Sequence, residues 1–245
     1  MSIASEIARL RGVKADILQA ISDKGVMVPA GSALDDCPGL IASITTGGEY
    51  IPGTVLIGGK NYKTTTFNGK TWLAENLDYL FSGCSYNQTF NDVSAVYYDN
   101  DEQNYKKHGL LYTFFAAEYL EQNKNDLLPD GWRVANKTDY FSLMNDLVVG
   151  STYIGLLLKA KDYEVDNNCP VDWNGANYYG FSAIPGGYRD GYNFKAINTD
   201  SDLWTPNSSG SNGTVFYFRK NNSSLAYLDI SKDQWYNLRL VKDSA

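Results

Sequence analysis

Tyr62-Lys-Thr-Thr-Thr-Phe-Asn-Gly-Lys-Thr-Trp-Leu73 sets two short runs rich in β-branched and aromatic residues around Asn68-Gly69. Such side chains fit a pleated surface and Asn and Gly supply turns, so the stretch reads as two strands joined by a turn. The same texture recurs upstream at Thr54-Val-Leu-Ile57 and downstream at Val215-Phe-Tyr-Phe218 and Tyr236 to Val241. Two helical stretches interrupt the strands. One runs from Thr113 to Gln122. The other runs from Lys137 to Val148, where Asn136 or Thr138 can cap and Phe141, Leu143, Met144 and Leu147 form an apolar face. Strands first, helices in the middle and strands last predict an α+β domain with a small antiparallel sheet core, two helices and long loops.

Upstream of residue 49 the pattern is different. Ile3, Ile7, Leu10, Lys14, Ile17 and Ile21 follow one another in steps of 4-3-4-3-4, a short heptad seam with one lysine in it. Ser2 or Ser5 can cap its start, and Gly25 with Pro29 can end it. So short a seam fits either a coiled coil or an amphipathic helix packed on its own domain. A second short helix is expected around Leu34 to Ile44, and Thr45-Thr-Gly-Gly48 reads as a hinge. The chain therefore divides into a helical leader, residues 1–48, for attachment or oligomerisation, and a large domain, residues 49–245.

The formal charge of -7, with no run of Lys or Arg, gives no electrostatic footprint for a phosphate backbone or anionic lipid. Neither nucleic acid nor membrane is expected as a partner. No stretch has the roughly 20 apolar residues of a membrane span, and the opening residues lack the regions of a signal peptide. Cys37, Cys84 and Cys169 are odd in number and at wide, unpatterned spacing, which argues against a disulfide framework; buried free thiols are expected, with a single Cys84 to Cys169 bridge as the alternative that no feature supports.

Four ordered stretches of the large domain resemble one family. They are Tyr62 to Tyr79; Tyr97-Tyr-Asp-Asn-Asp-Glu102 with Gly109-Leu-Leu-Tyr-Thr113; Leu128-Pro-Asp-Gly-Trp-Arg-Val134 with Asp139-Tyr-Phe-Ser-Leu143; and Gly180-Phe-Ser-Ala-Ile-Pro-Gly-Gly-Tyr-Arg189. Leu203-Trp-Thr205 through Leu238-Arg-Leu-Val-Lys-Asp243 completes the match. The family is the Fibrobacter major paralogous domain, similar to the formylglycine-generating branch of the C-type lectin fold. The same fold resembles that of the variable proteins of diversity-generating retroelements, including phage tropism determinants, whose C-terminal segment is rewritten to change ligand. The leader, with Ile3-Ala-Ser-Glu-Ile-Ala-Arg-Leu10, looks like leaders of phage tail or fibre proteins. Phe114, Leu128-Pro129 and Arg133-Val-Ala135 depart from the family pattern and leave its apolar spacing intact.

The resemblance implies a C-type-lectin-like binding protein, with a protein or glycan receptor on a host cell as partner, a virion as its place, and a trimer formed through the leader. The alternatives are a bacterial surface domain of the same family with a structural or polysaccharide-binding role, and an enzyme of the formylglycine-generating type. That enzyme needs a reactive cysteine pair, and neither Cys84 nor Cys169 lies in a segment resembling its site. His108, the single histidine, reads as a solvated loop residue. Asp99-Asn-Asp-Glu102, and Asp166 and Asn168 with Asp172, offer oxygen ligands that Ca²⁺ would take, but neither fits an EF-hand loop, so no catalytic residue, metal ligand or cofactor is assigned and polar turns are the default. Gly58-Gly-Lys60 lacks the first glycine and the hydroxyl of a phosphate loop. Gly186-Gly187 is expected to make a tight turn. Trp72, Trp132 and Trp204 fall in family-like motifs and are expected in the core; Trp235 stands where the family usually has a small residue and is expected to be exposed.

From Asp190 to Asn237 the chain interleaves Tyr, Asn, Ser, Asp and Gly. Tyrosine gives rigid contact area and short polar side chains give adaptable hydrogen bonds, so the composition suits a recognition surface, and it equally suits solvated hairpin turns. Strand parity adds a geometric argument. With Phe216 and Phe218 turned inward, Tyr217 and Arg219 face outward, and with Leu228 and Ile230 inward, Tyr227 and Asp229 lie beside them. The candidate ligand-binding residues are Asp190, Tyr192, Asn193, Asn207, Ser208, Ser211, Asn212, Tyr217, Arg219, Asn221, Tyr227, Asp229 and Trp235, with the two tyrosines, the arginine and Asp229 expected to form one patch.

Overall fold

In the computed structural model, which describes residues 3–23, 28–29, 31–37, 50–147, 153–161, 173 and 175–243, the large domain opens on three antiparallel strands: β1 (Ile51–Ile57), β2 (Lys60–Phe67) and β3 (Lys70–Leu73). Asn68 and Gly69 both take positive φ, 50° and 69°, as a two-residue hairpin turn between right-twisted strands requires. The chain continues through β4 (Ser85–Tyr86), β5 (Ser94–Val96), α2 (Glu102–His108), β6 (Leu111–Thr113), α3 (Phe114–Gln122), α4 (Lys124–Leu127), β7 (Arg133–Val134), α5 (Lys137–Asp146) and α6 (Ile154–Leu158). It closes with β8 (Gly186–Asp190), β9 (Asn193–Ile197), β10 (Asp200–Ser209), β11 (Asn212–Arg219), β12 (Ala226–Ser231), β13 (Gln234–Tyr236) and β14 (Leu240–Asp243). The domain is α+β, as its segment order predicts.

The two expected helices start where their caps dictate. Thr113 Oγ1 accepts the backbone N–H of Ala116 at 3.1 Å, and Asn136 Oδ1 accepts that of Asp139 at 3.1 Å. Asp139 returns the bond to the N–H of Asn136 at 2.8 Å, a reciprocal capping box, and its carboxylate also takes Arg133 Nη2 at 2.8 Å. These partners hold the Asp139 carboxyl below its usual range against the opposing effect of burial. The helices α2, α4 and α6 are too short for a periodic signal and were not expected.

Two sheets result. The smaller is ordered β1-β2-β3-β14-β7; the larger runs β12-β11-β10-β8-β13-β6-β5-β4, with β9 paired to β8. Pairing is antiparallel except between β10 and β8 and between β4 and β5. Tyr236 to Val241 is not the single strand expected. It breaks at Asn237, whose Nδ2 donates to the carbonyls of His108 (3.1 Å) and Leu110 (2.8 Å), and β13 lies in the larger sheet while β14 lies in the smaller. Between them Arg239, fully buried, donates to Asn76 Oδ1 and to the carbonyls of Leu73, Phe181 and Ser182 at 2.7–3.0 Å. One guanidinium thus joins three segments distant in sequence. Burial lowers its pKa to about 10.

The core lies on both faces of the β10–β11 pair. Leu203, Phe216 and Phe218 pack with Trp72, Tyr140 and Phe181, whereas the alternate residues Trp204 and Val215 pack with Phe114, Trp132 and Tyr236. Alternation along a strand that is covered on both sides therefore sends successive side chains into different clusters. Trp72, Trp132 and Trp204 are buried as expected. Gly186 and Gly187 open β8 instead of forming a turn; Gly187 sits at φ 66°, and a Cβ there would come within 2.6 Å of the Lys195 carbonyl oxygen.

In the leader, α1 (Ile3–Asp23) is one helix. Its seam is divided: Ile3, Ile7 and Leu10 are exposed, while Ile21 is buried against Cys37 with Ile17, Leu18 and Val28 around it. Of the second expected helix only the single turn Leu34–Asp36 with Cys37 is described; its remainder, the expected hinge and the proposed end of the first helix at Gly25 lie outside the described residues. No described helix is long and apolar enough to cross a membrane.

Candidate ligand-binding site

Register decides how the candidate side chains group. In β11, Phe216 and Phe218 are fully buried, and Tyr217 and Arg219, pointing the other way, are half-buried. Across the strand pair Phe216 lies opposite Tyr227, Tyr217 opposite Ala226, Val215 opposite Leu228 and Thr214 opposite Asp229. Directly opposed residues share a face of the sheet. Tyr227 and Asp229 therefore stand on the phenylalanine face, and the single patch expected from the sequence is instead two patches on opposite faces.

On the first face Arg219 spans two carboxylates, its Nη1 donating to Asp202 Oδ1 at 2.9 Å and its Nε lying 3.3 Å from Asp200 Oδ2. The guanidinium also sits 4.1 Å from the centre of the Tyr217 ring. Asp202 is buried and its Oδ2 has no hydrogen-bond partner. Burial raises its pKa to about 7, with Arg219 opposing that rise. Two carboxylates thus hold the arginine in place beside the half-buried Tyr217 ring.

On the second face the Tyr227 ring lies 5.4 Å from Phe216 and 5.0 Å from Phe141, with Lys137 Nζ 4.9 Å above it. Thr214 Oγ1 donates to Asp229 Oδ1 at 2.6 Å, and the backbone N–H of Lys137 donates to Asn207 Oδ1 at 2.7 Å. Ser208 and Ser211 are exposed and Asn212 is partly so, around the β10–β11 turn. Asn221, at φ 59°, is exposed in the turn that follows β11.

A third group occupies the β8–β9 hairpin. Asp190 pairs with Lys195 and accepts Gln234 Nε2 at 2.9 Å, and the lysine bond holds its carboxyl below the usual range. Asn193 and Tyr192 are exposed at the tip, Tyr192 by 76%. Trp235 was expected at the surface and is fully buried, lying opposite Arg189 in the β13–β8 pair and stacked beneath its guanidinium at 4.8 Å. That arginine, missed in the sequence, explains the tryptophan: a large flat ring fills the space under a buried planar cation.

Residues considered for chemistry are otherwise engaged. His108 is not a solvated loop residue. It is buried at the end of α2, and burial with the Lys107 charge lowers its pKa to about 4. Cys84 is a free buried thiol whose pKa burial pushes up to about 12, and Cys37 is a free buried thiol in the leader; Cys169 lies outside the described residues. Asp101 caps α2 through a 2.9 Å bond from the Gln103 N–H, and Asn100 Oδ1 accepts Gln88 Nε2 at 3.2 Å. Among the described residues no group of three or more His, Cys, Asp or Glu is placed to hold a metal ion; Asp166, Asn168 and Asp172 are outside them.

The two-sheet α+β frame with its C-terminal set of hairpins defines a domain that carries polar and aromatic side chains over an independently packed core. Its sequence matches the Fibrobacter succinogenes major domain over residues 66–242, and the chain belongs to that family. No curated protein and no solved structure matches it.

Proposed function

We propose that the chain is a ligand-binding protein of the C-type-lectin-like kind, which holds a receptor on the side chains of its C-terminal hairpins and makes or breaks no bond. The observation that carries this reading is the division of labour in β10 to β12. Leu203, Trp204, Val215, Phe216 and Phe218 are at most 1% exposed and hold the strands, while Tyr217, Arg219, Tyr227 and Asp229 project from them. A surface so built can change its contacts without changing its fold.

The absence of bond-making is supported by the chemistry of the candidate groups. A thiol with a pKa near 12 and a histidine near 4, both buried, are poor nucleophile and base at neutral pH. The exposed aliphatic face of α1 supports attachment or trimerisation through the leader, and a phage tail-type variable protein is the particular form we favour.

The test follows from the two faces. Tyr217→Ala with Arg219→Ala alters one, and Tyr227→Ala with Asp229→Ala the other. Binding of the purified protein to candidate host cells should fall at least about tenfold for one pair or both, about 1.4 kcal/mol, with folding retained. Unchanged binding by both pairs would refute the reading. Neighbouring DNA provides a second check: a reverse transcriptase and a near-copy of the final coding segment differing at adenines would identify the variable form.

A further inference from the structure

Arg189 is the one guanidinium in the described C-terminal hairpins that is fully buried without an ion pair. It lies in β8 opposite Trp235 and is surrounded by rings: Trp235 at 4.8 Å, Phe194 at 5.6 Å and Tyr192 at 6.0 Å from its Cζ. Rings stabilise the cation through their faces but accept none of its five N–H donors well. Those donors are poorly used. Nη2 reaches Gln88 Oε1 at 3.2 Å, Nη1 reaches the Gln88 carbonyl oxygen at 3.5 Å, and Nε has no partner. Compared with Arg239, which has four bonds no longer than 3.0 Å, Arg189 is undersupplied with acceptors. A buried charge in that condition is costly unless something else completes its shell.

Gln88 is itself exposed, in the segment between β4 and β5, and its amide oxygen occupies the place of one oxygen of a carboxylate facing the fork. Displacing the Gln88 amide oxygen would free Nη2 for a ligand oxygen, with Nη1 still facing the Gln88 backbone carbonyl. The rim would then be Tyr192, 76% exposed, and Tyr86, 42% exposed, with the amide of Asn100 beside them, within reach of both Tyr86 and Gln88.

We propose that Arg189 is the anchor of a binding site for a carboxylated sugar, of the uronic or sialic acid type, whose carboxylate replaces the Gln88 oxygen while its ring lies against Tyr192 and Tyr86. The carboxylate matches the planar fork in geometry and charge. The flanking rings match the C–H face of a pyranose, and the amides match its hydroxyls. A polyacidic peptide fits less well. The site offers a single cation, the neighbouring Lys195 is taken by Asp190, and Asn100 is flanked in sequence by Asp99 and Asp101. The inference names a ligand class for the binding reading and rests on it.

The experiment uses the full chain, with thermal unfolding and tryptophan emission followed during titration with glucuronate, N-acetylneuraminate, glucose, acetate and hexaglutamate. One or both sugar acids should give a saturable change in emission and a rise in Tm, with glucose and acetate inert at equal concentration. Gln88→Ala, which removes the competing amide oxygen, should tighten that binding; Gln88→Glu, which supplies an internal carboxylate, should weaken it at least about tenfold and raise Tm without ligand. Tyr192→Ala should weaken the sugar acid severalfold. Arg189→Met should abolish binding, and the Gln88 pair keeps the test decisive should that variant not fold. Silence towards both sugar acids in wild type and Gln88→Ala, an equal response to acetate, or tighter binding of hexaglutamate would each overturn the proposal. Failure here with the β11 or β12 faces still needed for cell binding would sink the sugar-acid site alone. Sugar-acid binding with both faces dispensable would instead remove those faces from the functional reading.

Discussion

Phe216 and Tyr227 lie directly opposite each other across β11 and β12, with ring centres 5.4 Å apart, yet one is fully buried and the other 43% exposed. The pair marks where core becomes surface. Phe216→Ala removes a ring that stacks on Tyr140 at 4.6 Å and should cost about 3–5 kcal/mol in urea unfolding. Tyr227→Ala should cost about 1 kcal/mol. The double variant should be less destabilised than the sum, because part of the loss is one shared contact; strict additivity would mean the rings are not coupled.

Two buried groups set opposing pH dependences. Burial raises Asp202 to about 7 and lowers His108 to about 4. Unfolded, they titrate near about 3.9 and 6.5. Between about pH 4 and 7 the native state keeps a proton on Asp202 that the unfolded chain has released, so that contribution to stability declines as pH rises. Between about pH 4 and 6.5 the unfolded chain holds a proton that native His108 does not, so that contribution grows as pH rises. The effects oppose each other in this window, where the carboxyl of Asp200, raised by burial, adds to the Asp202 trend, while the lowered carboxyls of Asp139, Asp190 and Asp243 act below it. Asp202→Asn should leave a stability that increases from about pH 4.5 to 6.5, and His108→Gln one that decreases. Parallel stability curves for the wild type and both variants would contradict the assignment.

Arg239 should be among the least replaceable residues. Arg239→Met strands four acceptors, three of them buried, and should cost at least about 3 kcal/mol. Arg239→Lys should also be strongly destabilised, since an ammonium cannot match the planar fork. Thermal unfolding compares the three proteins, and a lysine variant as stable as wild type would show that charge alone suffices.

The leader supplies the remaining prediction. Ile3, Ile7 and Leu10 are exposed in the single chain; isoleucine fills both core positions at Ile3 with Ile7 and at Ile17 with Ile21, a pairing that favours three strands over two, while Leu10 and Lys14 break the pattern. Sedimentation equilibrium should give a trimer for the full chain and a lower mass after Ile7→Asp with Leu10→Asp. A full-length monomer would leave α1 an attachment helix only.

Much of the frame was legible because it is local. Asn68-Gly69 closes its hairpin, Thr113 and Asn136 cap their helices, and the alternation in Val215 to Arg219 buries the two phenylalanines. The site was less legible because it depends on which residue of one strand meets which of another. Parity within β11 and within β12 was read correctly, but a sheet covered on both sides has two inward directions, and only the register shows that Tyr217 and Tyr227 face oppositely. Trp235 was misplaced for a related reason. Its burial depends on Arg189, which lies 46 positions upstream by residue number and crosses its ring. The break at Asn237 was hidden because its partners, the carbonyls of His108 and Leu110, come from the far side of the chain.

The interior strand β14 follows the C-terminal hairpins in sequence, and it is wedged between β3 and β7. A frameshift or premature stop anywhere in residues 190–233 therefore discards the strand that seals the smaller sheet, together with Arg239. Such a product has no means of closing its smaller sheet: only a chain read in frame through the whole region completes the fold, whatever side chains the hairpins carry.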